Sequence, residues 1–189
     1  MMPTPTLQTA RLILRPFEEA DDELHAAIWA KLEVVRFFQP KGEAEVIHAQ
    51  RNARLYGQLW RWGAERGGIV PFAAVERASS RLIGHLGVRI HSELRVPELT
   101  LFLDSAAWKQ GYATEGATAA LDHAFEAHDL EEVLGVVMPD NIASHRVMQK
   151  LGFEAAAPLL QWKMVMTSYR LPRERWRASI SRRDNSPSA

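Results

Sequence analysis

Apolar and polar positions change rhythm several times along the chain, and each change marks an element. The run Arg11-Leu12-Ile13-Leu14-Arg15-Pro16-Phe17 is short and apolar, and Pro16 ends it in the manner of a strand exit. Glu18 to Ala30, then Glu43 to Arg66, carry apolar residues at helical spacing, among them Val46, Ile47, Leu55, Leu59 and Trp62, until Gly67-Gly68 stops the second helix. Ile69 to Glu76 and Arg81 to Ile90 read as an antiparallel pair about the turn-forming Arg77-Ala78-Ser79-Ser80, and Glu98 to Leu103 completes a meander. Gly111 to His128 is alanine-rich with Leu121 and Phe125 four apart, which predicts a helix, and Val133 to Met138 is a compact strand stopped by Pro139. Asn141 can cap a last helix that carries Val147 and Leu151 on one face and stops at Gly152, and residues near Gln161 to Leu171 supply one more strand. The order is strand, two helices, three strands, helix, strand, helix, strand: an α/β chain with a mostly antiparallel mixed sheet. One domain over residues 7–177 is expected, followed by a polar, unpatterned and mobile tail over 178–189.

Composition narrows the chemistry. Lysine plus arginine and aspartate plus glutamate both number 23, so no global field steers the chain onto nucleic acid or an anionic membrane. The absence of cysteine excludes disulfides, thiolate metal ligands and a cysteine nucleophile. Met1-Met2-Pro3-Thr4-Pro5 has neither a positive nor an apolar leader region, and no apolar run approaches the roughly 18 residues of a membrane span, so a cytoplasmic protein is expected. The histidines show no H-E-x-x-H or comparable grouping, so no metal is expected and they read as surface or hydrogen-bonded residues.

The informative stretch is Trp108-Lys109-Gln110-Gly111-Tyr112-Ala113-Thr114-Glu115-Gly116, a small-residue turn that leaves a strand and opens a helix. A helix N-terminus offers unpaired N–H groups and the positive end of the dipole, and Gly111 and Ala113 keep side chains out of a ligand's path, so pyrophosphate suits this turn. Gly111 to Thr118 spells G-x-x-x-x-G-A-T, but Ala117 stands where a nucleoside-triphosphate loop requires lysine. The dinucleotide fingerprint G-x-G-x-x-G fails at Ala113 and in its expected parallel setting. An ordinary tight turn, small for the sake of helix packing, is the other reading.

This segment resembles the acyl-CoA-binding motif of the GNAT acetyltransferases, Q/R-x-x-G-x-G/A, and Trp108 at its first position resembles the branch that contains the ribosomal-protein N-terminal acetyltransferases. Thr9-Ala10-Arg11-Leu12-Ile13-Leu14-Arg15-Pro16 is similar to that branch's opening strand, Leu82-Ile83-Gly84-His85-Leu86-Gly87 to its central strand, and Asn141 to Phe153 to its final helix. The resemblance covers about residues 7 to 154 and implies a GNAT fold with about four helices flanking the sheet. It implies acetyl-CoA as acyl donor, no metal, and a primary amine as acceptor, carried by a protein N-terminus or a small molecule. A homodimer is left open.

The resemblance also implies site residues. Gln110, Gly111, Tyr112, Ala113 and Thr114 would hold the pyrophosphate, Phe102 and Leu103 would offer strand backbone to pantetheine, and Asn141 and Ser144 would face the cofactor from the other side. Glu98 matches a glutamate common in the branch and is the candidate general base, acting through water; a solvated strand-edge carboxylate is the alternative. The position that holds a tyrosine general acid in many GNAT enzymes is Met148, so the thiolate leaves unassisted or Ser144, four residues earlier on the same face, contacts the sulfur. That methionine gives weight to a rival, a non-catalytic acyl-CoA sensor or scaffold. Arg51, Arg54, Tyr56, Trp60, Arg61 and Trp62 suit acceptor selection or plain packing, and Arg170, Arg173, Arg175 and Arg177 suit an acidic partner or a solvated strand end.

Overall fold

The computed structural model describes residues 2–37, 43–161 and 163–184. Its elements are β1 (Leu7–Gln8), β2 (Leu12–Arg15), α1 (Asp21–Trp29), α2 (Leu32–Val35), α3 (Glu43–Glu65), β3 (Phe72–Glu76), β4 (Arg81–Ile90), β5 (Pro97–Leu103), a 3-10 turn (Ser105–Ala107), α4 (Tyr112–Ala127), β6 (Glu132–Val137), α5 (Ile142–Lys150), β7 (Glu154–Ala155), β8 (Leu159–Gln161), β9 (Met164–Pro172) and α6 (Arg173–Asp184). The sheet runs β1-β2-β3-β4-β5-β6-β9-β7, with β8 beside β9. Every pairing is antiparallel except that of β5 with β6. This is the mixed α/β architecture expected from the hydrophobic rhythm.

Strand alternation divides the core between two faces. On one, Leu86 and Val88 of β4 and Leu99 of β5 pack with Ala117, Ala120 and Leu121 of α4, joined by Met148 and Leu151 from the α5 region. On the other, Phe102 of β5 packs with Ile28, Trp29, Val34, Val35 and Ala53 from α1 to α3. Trp29 stacks on Phe102 at 4.3 Å between centroids, and His85 stacks on it at 5.2 Å. Removing a ring such as Phe102 from water is worth about 2–3 kcal/mol, so this stack anchors the helical layer to the strand that leads into the Gly111 turn.

The pattern did not anticipate β1, α2, β7 and β8, which are too short to establish a period. The expected tail is corrected: Ala178 to Asp184 continue α6, and residues 185–189 lie outside the described residues. The cause is an i,i+4 pair in a polar setting, since buried Trp176 and half-buried Ile180 dock on the α4 side while Trp176 Nε1–H donates to Asp122 at 2.8 Å.

Between Ala74↔Gly84 and Val75↔Leu82 the β3–β4 register skips Ile83, a bulge that bends the central strand. Gly84 there has φ +135°, and a Cβ on it would collide with the Phe102 carbonyl oxygen and lie 2.9 Å from Leu103 Cα. Gly84→Ala is expected to cost about 2–4 kcal/mol through backbone strain and displacement of β5. Urea unfolding of the variant measures it, and a cost below about 1 kcal/mol would show that β5 yields freely at this point.

Candidate active site

The site is built where β5 and β6 part. These strands run parallel, yet among the described residues their ladder holds one pair, Glu98↔Leu134, while β5 stays paired with β4 from Pro97 to Leu103 and β6 with β9 from Glu132 to Val137. The antiparallel register, with Asp104 N–H donating to Ile83 and His91 N–H to Val96, turns the even-numbered β5 backbone groups toward β4 and the odd-numbered ones toward β6. Leu101 and Leu103 therefore present backbone groups to the gap. Phe102 does not: its carbonyl points at Gly84 of β4, which corrects the expectation that it offers strand backbone. The Leu103 carbonyl already accepts Trp108 Nε1–H at 2.8 Å, so what Leu103 offers the gap is its N–H.

Because the two strands are parallel, both carboxyl ends reach the same edge, and each leads to a helix N-terminus, α4 after β5 and α5 after β6. Gly111 is the N-cap of α4 with φ +87°, a conformation glycine adopts without a Cβ penalty. No side chain among the described residues caps α4, and its first intrahelical bond is Glu115 N–H to the Gly111 carbonyl at 3.0 Å. The N–H groups of Tyr112, Ala113 and Thr114 are thus the helix's open donors. Side chains in the turn are engaged elsewhere: Tyr112 Oη–H donates to Glu76 at 2.6 Å and Gln110 Nε2–H to the Ala106 carbonyl at 2.8 Å.

At the gap, a cavity of about 70 Å³ passes between the strands, lined by Glu98, Thr100 and Leu101 of β5 and by Asn141, Ser144 and Met148 of the α5 side. That is room for a few ordered waters. The structure thus brings together Glu98, Asn141 and Ser144, which lie far apart in sequence. Asn141 Oδ1 accepts Ser144 N–H at 3.1 Å, so the asparagine caps α5 while Ser144 is among the residues lining the cavity. Met148 is buried, and its sulfur packs against Gly135 of β6.

Glu98 is not a solvated edge carboxylate. It is buried, opposite Arg89 on β4, with Oε2 2.8 Å from Arg89 Nη2, yet the angles are too poor for a hydrogen bond and Oε2 has no such partner among the described residues. Burial raises its pKa, against the opposing charge of Arg89 and the influence of His91. A buried carboxylate whose pKa is raised, beside a cavity with room for water, is a candidate for proton transfer.

Sequence reasoning missed a buried polar chain on the same face. Thr100 Oγ1 lies 3.4 Å from His85 Nε2, His85 Nδ1 lies 2.9 Å from His25 Nε2, and Trp29 Nε1–H donates to that same nitrogen at 3.0 Å. Since His25 Nε2 accepts, His85 Nδ1 carries a proton and His85 Nε2 accepts from Thr100. Burial pushes the His25 pKa down to about 4, against the Ala53 carbonyl and nearby Asp21 and Asp22, and pushes His85 well below the usual range, helped by His25 and Arg89. No signal in the sequence links His25 to His85, sixty positions away.

Other candidates land away from the cavity. Arg54 and Arg61 of α3 pair with Glu23 and Asp22 of α1, and Tyr56 stacks on buried Trp60 at 5.5 Å, so these residues pack α3 against α1. Arg173 pairs with Asp129 and Arg175 with Glu154, which fixes α6 against its neighbours. Arg51 and Trp62 are exposed. No cluster of three or more metal-ligating side chains and no helix long and apolar enough to cross a membrane occur among the described residues.

Comparison with known proteins bears on the family and the fold. The family model described as Acetyltransferase (GNAT) domain matches residues 11–154. The uncharacterized N-acetyltransferase YoaA of Bacillus subtilis is 28% identical over 165 residues, 84% of this chain and 88% of that protein. Among solved structures, Mycobacterium smegmatis RimJ in complex with CoA-disulfide superposes with a TM-score of 0.75 at 21% identity, covering 92% of this chain and 91% of that one. The ribosomal-protein-S5-alanine acetyltransferase from Vibrio fischeri gives 0.74 at 14% identity, covering 91% and 98%.

The histidine chain makes stability depend on pH in a definite direction. Both pKa values are lowered in the fold, so the unfolded chain binds more protons below its own value near 6.5, and stability is complete above that pH and lost as pH falls toward about 4. His25 alone is expected to remove about 2 kcal/mol between pH 7 and pH 5. Urea unfolding of wild type, His25→Gln and His85→Gln across this window tests it; slopes that do not differ would show that neither histidine is held neutral.

Proposed function

The chain belongs to the GNAT acetyltransferase family, and from that premise we propose that it transfers the acetyl group of acetyl-CoA to a primary amine in the gap between β5 and β6. The observation that carries the proposal is the cavity at the β5–β6 gap, with a buried carboxylate, Glu98, on one side and the start of α5 on the other. Acetyl-CoA supplies an activated acyl thioester. The open N–H groups of Tyr112, Ala113 and Thr114, following Gly111 and Gln110, suit its pyrophosphate, and the gap-facing backbone of Leu101 and Leu103 suits its amides and acyl carbonyl.

The amine acceptor must lose a proton before it attacks. Glu98, with a raised pKa and an unsatisfied oxygen, takes that proton through cavity water. Met148 has no proton to give, and Ser144 is the hydroxyl of α5 that faces the cavity. A thiol with a pKa of roughly 8.5 needs little help to leave near neutral pH, so Ser144 is assigned a contact to sulfur and no obligatory proton transfer. The likeness to ribosomal-protein acetyltransferases supports a protein N-terminus as the first acceptor class to try, with small-molecule amines beside it.

Acetyl-CoA is expected to raise the melting temperature while ATP and NAD leave it unchanged; saturation at about one hundred times Kd corresponds to about 2.7 kcal/mol. Thiol release with a panel of amines, above the rate of hydrolysis, distinguishes turnover from binding alone. Glu98→Gln is expected to lower kcat/KM by roughly 10²-fold at neutral pH, to remove the acidic limb of its pH profile, and to lose less at high pH where the amine is already neutral. Ser144→Ala should lower kcat slightly and leave the profile in place. Full activity of Glu98→Gln at neutral pH would assign deprotonation elsewhere.

A further inference from the structure

Arg11 sits in the turn between β1 and β2, almost a hundred residues from the Gly111 turn, yet it touches that turn at several points. Its Nη1–H donates to the Gln110 carbonyl at 2.8 Å, and its Nε–H and Nη2 each reach Glu115 Oε2 at 2.7 Å. Its guanidinium lies 4.6 Å from the Tyr112 ring centroid, and a Cβ on Gly111 would lie 3.2 Å from its Nη2. The other oxygen of Glu115 accepts Arg11 backbone N–H at 2.8 Å and Thr9 Oγ1–H at 2.6 Å. The platform beneath is fixed as well, because Leu12 N–H donates to Thr9 Oγ1 at 2.9 Å and Arg77 Nη1–H to the Thr9 carbonyl at 2.9 Å.

Two features of this arrangement bear on an anion. A carboxylate in the first turn of α4 is favoured by the helix dipole, but it competes electrostatically with any anion at the same end. Burial tends to raise the pKa of Glu115, but the hydrogen bonds from Thr9 and Arg11 and the Arg11 charge hold it below the usual carboxylate range, so it is ionised and needs a counter-charge. In addition, Gly111 with φ +87° followed by helical Tyr112 forms the backbone concavity that gathers successive N–H groups. Arg11 ties the Gln110 carbonyl to itself and so keeps that negative dipole out of the concavity. Half of the Arg11 side chain remains exposed at its rim.

We propose that Arg11 is a positioning residue for polyphosphate binding: it neutralises Glu115, holds the Gln110 carbonyl aside and so presents the N–H groups of the Gly111 turn to the pyrophosphate. This rests on the acetyl-CoA reading above and adds to it a residue outside the binding turn. Lysine cannot replace arginine here, because one ammonium cannot span Glu115, Gln110 and the Tyr112 ring at once.

Calorimetry with coenzyme A and with pantetheine, which lacks the pyrophosphate, separates the possibilities on wild type, Arg11→Met, Arg11→Lys and Arg11→Met/Glu115→Gln. Wild type is expected to bind coenzyme A, Arg11→Met to weaken it by roughly tenfold or more, and Arg11→Lys to fall between them, with pantetheine affinity unchanged in all. Removing the uncompensated carboxylate in the double variant should restore part of the loss. Equal losses for coenzyme A and pantetheine, or unchanged coenzyme A affinity in a folded Arg11→Met or Arg11→Lys, would overturn the assignment. Failure of wild type to bind coenzyme A would instead overturn the cofactor reading, a result visible before any variant is made.

Discussion

The parting of two parallel strands is the constraint on which the rest of the structure depends. A parallel ladder has to be broken at some cost in hydrogen bonds, since each exposed N–H or carbonyl must find water, a side chain or a ligand. Here β5 and β6 hold together at Glu98↔Leu134 and are each secured on the far side, β5 by β4 and β6 by β9. The gap can therefore open without unravelling the sheet. Because the strands point the same way, the opening faces two helix N-termini, and their positive ends and free donors collect at one edge without any excess of basic residues in the chain. An electrically balanced protein can thus gather backbone donors at one edge without a global basic field.

The gap also joins the two sides of the molecule. The face of β5 that carries Glu98, Thr100 and Phe102 belongs to the α1–α3 layer, whereas Met148 and the α5 helix belong to the layer opposite. The cavity thus draws its lining from both layers, and charges placed there are screened less than in bulk water. Burial makes the polar groups on this face expensive. Burial lowers the pKa values of His25 and His85 and raises that of Glu98, so each is drawn toward its neutral form. Arg89, with Nη2 2.8 Å from Glu98 Oε2, opposes the rise in pKa that burial imposes on the carboxylate.

Much of this was legible in the sequence, and the limits have physical causes. Long periodic segments such as α3, β4 and α4 were readable because many residues repeat one pattern, and the Asn141 cap because one side chain answers one backbone donor. The small-residue turn at Gly111 was readable because steric demands on a close backbone approach leave few residue types. Phe102 was misassigned because backbone direction along a strand follows from register, and register is set by partners that no single segment specifies. The helix from Ala178 to Asp184 was missed because two apolar residues, Trp176 and Ile180, suffice to dock it once α4 is in place. The Thr100–His85–His25 chain and the Arg11 clamp are products of tertiary proximity, invisible in any window of sequence.

The absence of a tyrosine at Met148 then takes on a different meaning. Its sulfur fills the space against Gly135, where any Cβ would already be crowded at 2.9 Å, so the position is committed to packing α5 against β6. A phenol there would have to displace that contact to reach the cavity. What must be held accurately at this site is the start of α5, and several contacts hold it: Asn141 caps the helix, while His145 bridges Tyr169 Oη at 2.7 Å and the Met138 carbonyl at 3.1 Å. Since His145 Nε2–H must donate to that carbonyl, its Nδ1 accepts from Tyr169, and the nearest phenol is consumed in bracing the turn. On the proposed reading the site would rely on position and on the intrinsic acidity of the leaving thiol, with Glu98 as the buried carboxylate at the cavity.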